Sequence, residues 1–294
     1  MAADQTVDEM KIDPARAVEL ASNLARTLAS IKTANPTNRS VRLVAVSKLK
    51  PASDILSLAA KPVLENISAT DKAYLPHLHF GENYTQELLH KAQLLPKHIR
   101  WHFIGALQTN KCKQLAEQVS NLWAVESVDT VKKADALEKG RKALKDKVDD
   151  QSSNTEIEHV RIYVQVNTSG EDSKSGVELN EASGLAKHIV ENCPNLQLQG
   201  LMTIGAIARS QAASDGELNE DFVVLKKVRE QVAKDLGWDV SKLELSMGMS
   251  ADYEDAIRQG SDEIRIGTGI FGSRPPKKVA TDEKHDEEGK KEGE

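Results

Sequence analysis

RLVAVSKLKPASDILSLA (42–59) reads as one strand followed by one helix. RLVAVS (42–47) is a nearly continuous apolar run, the pattern of a strand covered on both faces. From Ala52 the apolar residues return at helical spacing. The same unit recurs along the chain. LHFGE (78–82) precedes a helix from Asn83 to Leu94, WHFIG (101–105) one over 109–119, and NLWAVES (121–127) one over 129–147. HVRIYVQVN (159–167) leads to a helix over 180–191, and LQLQGLMTI (196–204) to a long one over 217–236. LELSMG (243–248) is followed by ADYEDAIRQG (251–260), and EIRIGTG (263–269) by a last short helix.

These strand–helix units predict the α/β class, as a single closed (β/α)8 TIM barrel rather than an open doubly wound sheet. An extra N-terminal helix over 14–34, opened by Pro14, precedes the first strand. The segments 61–77, 148–158 and 205–216 read as surface loops. The expected division is a flexible N-terminus (1–13), the barrel (14–275) and a disordered charged tail (276–294). From Pro276 onward almost every residue is charged or small, so the tail cannot bury enough apolar surface to offset its ordering entropy.

Of the 294 residues, 39% are hydrophobic and 29% charged, with a formal net charge of −6. This acidity argues against a nucleic-acid surface. No apolar run reaches the roughly 18 residues of a membrane helix, and the polar, acidic N-terminus has no features of a secretory or mitochondrial leader. The sequence therefore predicts a cytoplasmic protein. Cys112 and Cys193 are too few for a disulfide framework or a zinc site, and no metal is expected.

Barrel chemistry sits at the C-terminal ends of strands. Lys48 follows VAVS there, and partial desolvation would leave more of the neutral amine that attacks an aldehyde. A surface lysine at a strand end, like neighbouring Lys50, explains the local sequence equally well. LSMGMS (245–250) and RIGTGIFG (265–272) put Gly, Ser and Thr after strands seven and eight, where phosphate sites recur. Ser246, Ser250 and Thr268 are the donors. Together these features suit a phosphorylated aldehyde better than tight turns alone.

His102 is read as a satisfied core or rim residue rather than a general base. Asn167, Met202 and Thr203 are strand-end residues near the pocket. Glu82 and Glu126 are acid candidates that equally suit rim charges, and Arg265 has a rim partner available in Glu263. The lysines near 110 and over 132–147 read as solvated helix faces.

VAVSKLKP (44–51), FGENYTQE (80–87), WHFIGALQTNK (101–111), QVNTSGEDSKSG (165–176), GLMTIGA (200–206), LSMGMSADYEDAI (245–257) and RIGTGIFGSR (265–274) resemble, in order, the signatures of the pyridoxal phosphate homeostasis protein family. The resemblance covers about residue 14 to Arg274. It implies an alanine-racemase-like barrel that binds pyridoxal 5′-phosphate (PLP) as a Schiff base on Lys48. It also implies phosphate contacts from Ser246, Ser250, Gly267 and Thr268. Asn83 and Met247 would line the cofactor, and Arg265 would face the pyridine nitrogen. Leu49 and Ala106 depart from the residues common at those positions, Thr and Pro.

The implied function is intracellular PLP homeostasis: holding the cofactor and supplying it to apo-enzymes, without a catalytic residue of its own. The alternative is a PLP-dependent amino-acid racemase or decarboxylase. Racemisation needs acid/base groups on both faces of the substrate carbon, and racemases of this fold add a second domain that supplies one. The chain ends after strand eight, which favours the carrier and a monomer. A Schiff-base aldolase acting on a sugar phosphate ranks last.

Overall fold

The computed structural model describes residues 10–60, 67–150, 157–171, 175–206 and 218–273. Eight parallel strands close in sequence order: β1 (Arg42–Val46), β2 (His79–Glu82), β3 (Arg100–Phe103), β4 (Leu122–Val128), β5 (Val160–Gln165), β6 (Leu196–Met202), β7 (Glu244–Ser246) and β8 (Glu263–Ile266). The closing pair is β1–β8, with Val44 opposite Arg265 and Ala45 opposite Ile266.

Helices α1 (Pro14–Ala34), α2 (Ala52–Ala59), α3 (Ala69–Lys72), α4 (Thr85–Leu94), α5 (Thr109–Gln118), α6 (Val131–Asp150), α7 (Ala182–Asn192), α8 (Glu220–Leu236), α9 (Tyr253–Arg258) and α10 (Thr268–Phe271) accompany them. The strand–helix alternation and the extra N-terminal helix are as the sequence predicts. Part of the expected 61–77 loop is the short helix α3, capped by the Ser68 side chain. The rest of that loop before Ile67, most of the 148–158 and 205–216 loops, and the tail lie outside the described residues.

Asp13 caps α1 by accepting from the Ala15 and Arg16 amides, and Pro14 occupies its first turn. Its buried stripe, Ala17, Leu20, Ala21, Leu24, Thr27 and Ile31, recurs every three or four residues. The helix packs on α2, α9 and α10. α10 has only four residues, and α1 packs beside both it and α2, the helices that follow β8 and β1.

Two kinds of interior follow from strand alternation. Outward-facing residues such as Leu43, Ala45, Leu245 and Met247 join the large apolar cluster under the helices. The barrel lumen is largely polar. It holds Arg42, His102, Glu126, Glu263, Ser246 and Arg265, with a small apolar cluster of Trp123, Ala124, Tyr163 and Met202.

Candidate functional site

Lys48 leaves β1 in a tight turn closed by the Lys50 amide donating to the Ser47 carbonyl at 3.1 Å. Leu49 takes φ 59°, a left-handed conformation costing a non-glycine residue roughly 1–2 kcal/mol. Neighbouring groups hold it there. The Leu49 amide donates to Glu87 Oε1 at 2.7 Å. The buried Lys91 ammonium donates to Ser47 O at 2.9 Å, Glu82 Oε1 at 2.7 Å and Glu87 Oε1 at 2.7 Å. The Ser47 hydroxyl donates to the same Glu82 oxygen at 2.6 Å. Burial pushes the Glu82 carboxyl up to about 7, against the pull of Lys91 and Ser47.

Lys50 points elsewhere. Its ammonium donates to the carbonyls of Phe271, Gly272 and Ser273 at 3.1, 3.1 and 2.7 Å.

Barrel closure brings the strand-eight loop beside this turn. A Cβ added at Gly267 would sit 3.3 Å from Val46 O, two residues before Lys48. Thr268 and Ser250 are exposed, and Gly267 is partly so. The strand-seven loop needs glycine at 248: its φ is 99°, and a Cβ there would come within 2.5 Å of the Ala256 Cβ. On the β2 side, a Cβ at Gly105 would lie 2.1 Å from Asn83 O. Only glycine lets those backbones meet. Asn83 Oδ1 is buried without a hydrogen-bond partner.

Below this mouth the lumen is wired by hydrogen bonds. Arg265 donates through Nη1 to Ser246 Oγ at 2.5 Å and through Nη2 to Thr203 O at 2.8 Å. Ser246 Oγ donates to Glu126 Oε2 at 2.8 Å. Glu126 Oε1 lies 2.8 Å from His102 Nδ1, and His102 Nε2 lies 2.8 Å from His79 Nδ1. Burial holds His102 down at about 4 and His79 lower still. Burial and the nearby Glu126 push Glu263 up to about 7.

His102, Glu126 and Glu263 have ligand atoms within 4.8 Å of one another. The His102–Glu126 contact is nevertheless a 2.8 Å hydrogen bond, so a proton already joins those two atoms.

These positions sort the sequence-predicted residues. Lys48, Ser250, Gly267, Thr268 and Asn83 come to the C-terminal mouth. Ser246 goes to the lumen, where its hydroxyl accepts from Arg265 and donates to Glu126. Strand alternation turns Met247 outward into the helix-facing core, away from the mouth. Arg265 meets Glu126, at 3.8 Å, while Glu263 pairs with Arg42 at 3.0 Å. Met202 joins Trp123 and Tyr163 in the lumen. The Asn167 amide donates to Glu171 O, and Thr203 bonds Thr168.

The 132–147 helix face is not wholly solvated. Arg141 is 1% exposed and donates to the carbonyls of Glu158, Val119 and Ser120. Lys91, His79 and Arg141 had no sequence signal beyond a charge in a helix or strand.

A closed (β/α)8 barrel with a lysine in the turn after its first strand and an arginine on its last defines an alanine-racemase-type barrel. The sequence family described as "Alanine racemase, N-terminal domain" matches residues 22–275. Within it, the chain belongs to the pyridoxal phosphate homeostasis protein family. It is 43% identical to the Schizosaccharomyces pombe pyridoxal phosphate homeostasis protein over 240 residues, 82% of this chain and 87% of that protein.

PipY of Synechococcus elongatus PCC7942, solved with PLP bound, is 27% identical at a TM-score of 0.59, covering 85% of this chain and all of PipY. Alanine racemase from Corynebacterium glutamicum, at 15% identity and a TM-score of 0.58, shares the fold over 92% of this chain and 64% of the racemase. Among the described residues no helix is long and apolar enough to cross a membrane.

Proposed function

We propose that the protein binds PLP covalently through Lys48 and serves intracellular PLP homeostasis, holding the reactive aldehyde and supplying the cofactor to apo-enzymes. The observation that carries this reading is the β1–β8 seam. It puts the end of β1, two residues before Lys48, against Gly267, and sets Arg265 level with Val44 on the neighbouring strand.

The residues present fit PLP. Lys48 would hold the aldehyde carbon. Ser250, Thr268 and the Gly267 backbone would contact the phosphate. The unpartnered Asn83 Oδ1 is an acceptor awaiting a donor. Arg265 is the cation for the ring nitrogen. When bound, PLP supplies an electrophilic aldehyde and an electron sink; an arginine at the ring nitrogen keeps that nitrogen unprotonated and weakens the sink. The protein's own part is to hold Lys48 out of β1 in a strained, buttressed turn.

The chain's similarity to named homeostasis proteins, and PLP in PipY, support the same reading. A cytoplasmic monomer without catalytic turnover goes with it.

The test is transfer. The PLP-loaded protein is mixed with an apo-transaminase and recovered activity is followed, with borohydride reduction mapping the attachment site. The expected result is reactivation, with PLP mass on the Lys48 peptide and no visible band in Lys48→Ala. A Lys48→Ala protein that keeps its band, or an apo-transaminase that stays inactive, would overturn it.

A further inference from the structure

The direction of each lumen hydrogen bond can be deduced. Arginine only donates, so the 3.4 Å contact from Arg100 Nη1 makes His79 Nε2 the acceptor. In a neutral imidazole the other nitrogen then carries the hydrogen, so His79 Nδ1 donates to His102 Nε2. His102 Nδ1 must then donate to Glu126 Oε1. From the opposite end, Arg265 donates to Ser246, whose one proton goes on to Glu126 Oε2.

Both chains point inward, and both end on one carboxylate. Glu126 is fully buried and accepts on each oxygen. Its second oxygen lies 3.8 Å from Arg265 Nη1, so it is also the counter-charge of that buried guanidinium. An unpaired buried charge is costly. Arg265 therefore has one low-energy place, fixed by Ser246 on one amine and the Thr203 carbonyl on the other.

We propose that Glu126 is the positioning residue for Arg265, acting through the Ser246 hydroxyl and set in turn by His102. The consequence for the cofactor rests on the reading that Arg265 faces the pyridine nitrogen of PLP. A guanidinium so held and counter-charged by Glu126 would present a fixed charge to that nitrogen. A loose one would wander and change the charge that the ring meets.

Two measurements on the full chain separate the clamp from the cofactor reading. In the apo-protein, 15N spectra follow guanidinium rotation at Arg265 in wild type, Ser246→Ala, Ser246→Thr and Glu126→Gln. In the PLP-loaded protein, the pH midpoint of the visible band is compared for the same set, for Arg265→Gln, and for the Ser246→Ala/Glu126→Gln double variant.

The expected result is hindered rotation in wild type and Ser246→Thr, with rotation at least about tenfold faster in Ser246→Ala, about 1.4 kcal/mol in barrier. The band midpoint should move by roughly half a pH unit or more in Ser246→Ala and Glu126→Gln, in the direction of Arg265→Gln. The double variant should move no further than the larger single, the mark of one residue acting through the other. Unchanged rotation in Ser246→Ala, or additive midpoints, would overturn the clamp. An Arg265→Gln profile superimposable on wild type overturns the ring-nitrogen reading alone, and the apo spectra then decide the clamp by themselves. Ser246→Ala removes one hydroxyl and keeps the test available should Glu126→Gln fail to fold.

Discussion

The Lys91 ammonium donates to the Ser47 carbonyl at 2.9 Å, one residue before Lys48, and it does so from the interior of the protein, where its side chain is only 5% exposed. Its three protons meet three acceptors: Ser47 O, Glu82 and Glu87. Glu87 in turn takes the Leu49 amide. One helix α4 cation thereby ties down both sides of the turn that presents Lys48.

Lys91→Met should therefore cost about 3–5 kcal/mol at pH 8, since it strands two carboxylates, one fully buried. The sign of the pH effect follows from Glu82. Burial already holds its folded-state pKa above the unfolded value, and losing Lys91 raises it further. Below that raised value Glu82 takes a proton and sheds its unpaired charge. The deficit should shrink toward pH 5. Urea melts at the two pH values, with Lys91→Met/Glu82→Gln as a partial rescue, check this. An equal deficit at both would mean that Glu82 titrates alike with and without Lys91.

Lys50→Ala separates the two lysines of the first loop. Lys50 ties β1 to the end of the barrel through three carbonyls, and those carbonyls reach water when it is removed. The expected loss is about 1–2 kcal/mol of stability with the PLP visible band retained, against loss of the band in Lys48→Ala. Absorbance and thermal melts on the two variants are sufficient.

His102 gives the fold an acid-sensitive component. Its folded-state pKa is depressed from 6.5 to about 4, with burial the largest cause. Between those values the unfolded chain takes a proton that the folded one refuses, so stability falls as pH drops from 6.5 to 4, by up to about 3 kcal/mol. Glu263, raised to about 7, works in the opposite sense between pH 4.5 and 7, so the comparison must be a difference. His102→Asn should be the less stable protein at pH 7, having lost the packing on Trp123. The gap to wild type should close as pH approaches 4. A gap independent of pH would show that His102 titrates normally.

The fold was legible because both signals it needs are local. Strands such as RLVAV (42–46) carry apolar residues on both faces, and each is followed by a helical period. The Lys48 turn and the two glycine-bearing loops were legible for the same reason, since barrel geometry fixes where strand ends meet. What could not be read was the lumen. Glu82, Glu126 and Glu263 look alike as acids in apolar strands. Only register shows that Glu263 answers Arg42, that Glu126 answers Arg265, and that Glu82 answers a lysine nine residues on. Ser246 and Ser250 sit in one motif, yet a strand residue inside the barrel and a loop residue outside it have different partners. Spacing along the chain does not record which side of the sheet a side chain takes.

A racemase must place a proton donor or acceptor on the face of the substrate opposite the lysine, an effect worth about two to four orders of magnitude in rate. The buried groups best suited to that task are already engaged. Both His102 nitrogens are hydrogen-bonded within the lumen. The Tyr163 hydroxyl donates to Glu244 at 2.6 Å, and burial followed by Glu263 and Glu244 pushes its pKa well above 10.0. Arg265 at the ring nitrogen would further weaken the cofactor as an electron sink. The PLP-loaded protein incubated with L- and D-amino acids should show α-proton exchange and change of chirality far below the ordinary enzymatic rate of about 10 per second. Proton exchange in deuterated water, chiral chromatography and keto-acid release are the readouts. Turnover near that ordinary rate with any amino acid would mean that one of these committed groups, or Lys48 itself, moves protons on a bound substrate, and the carrier reading would give way to an enzymatic one.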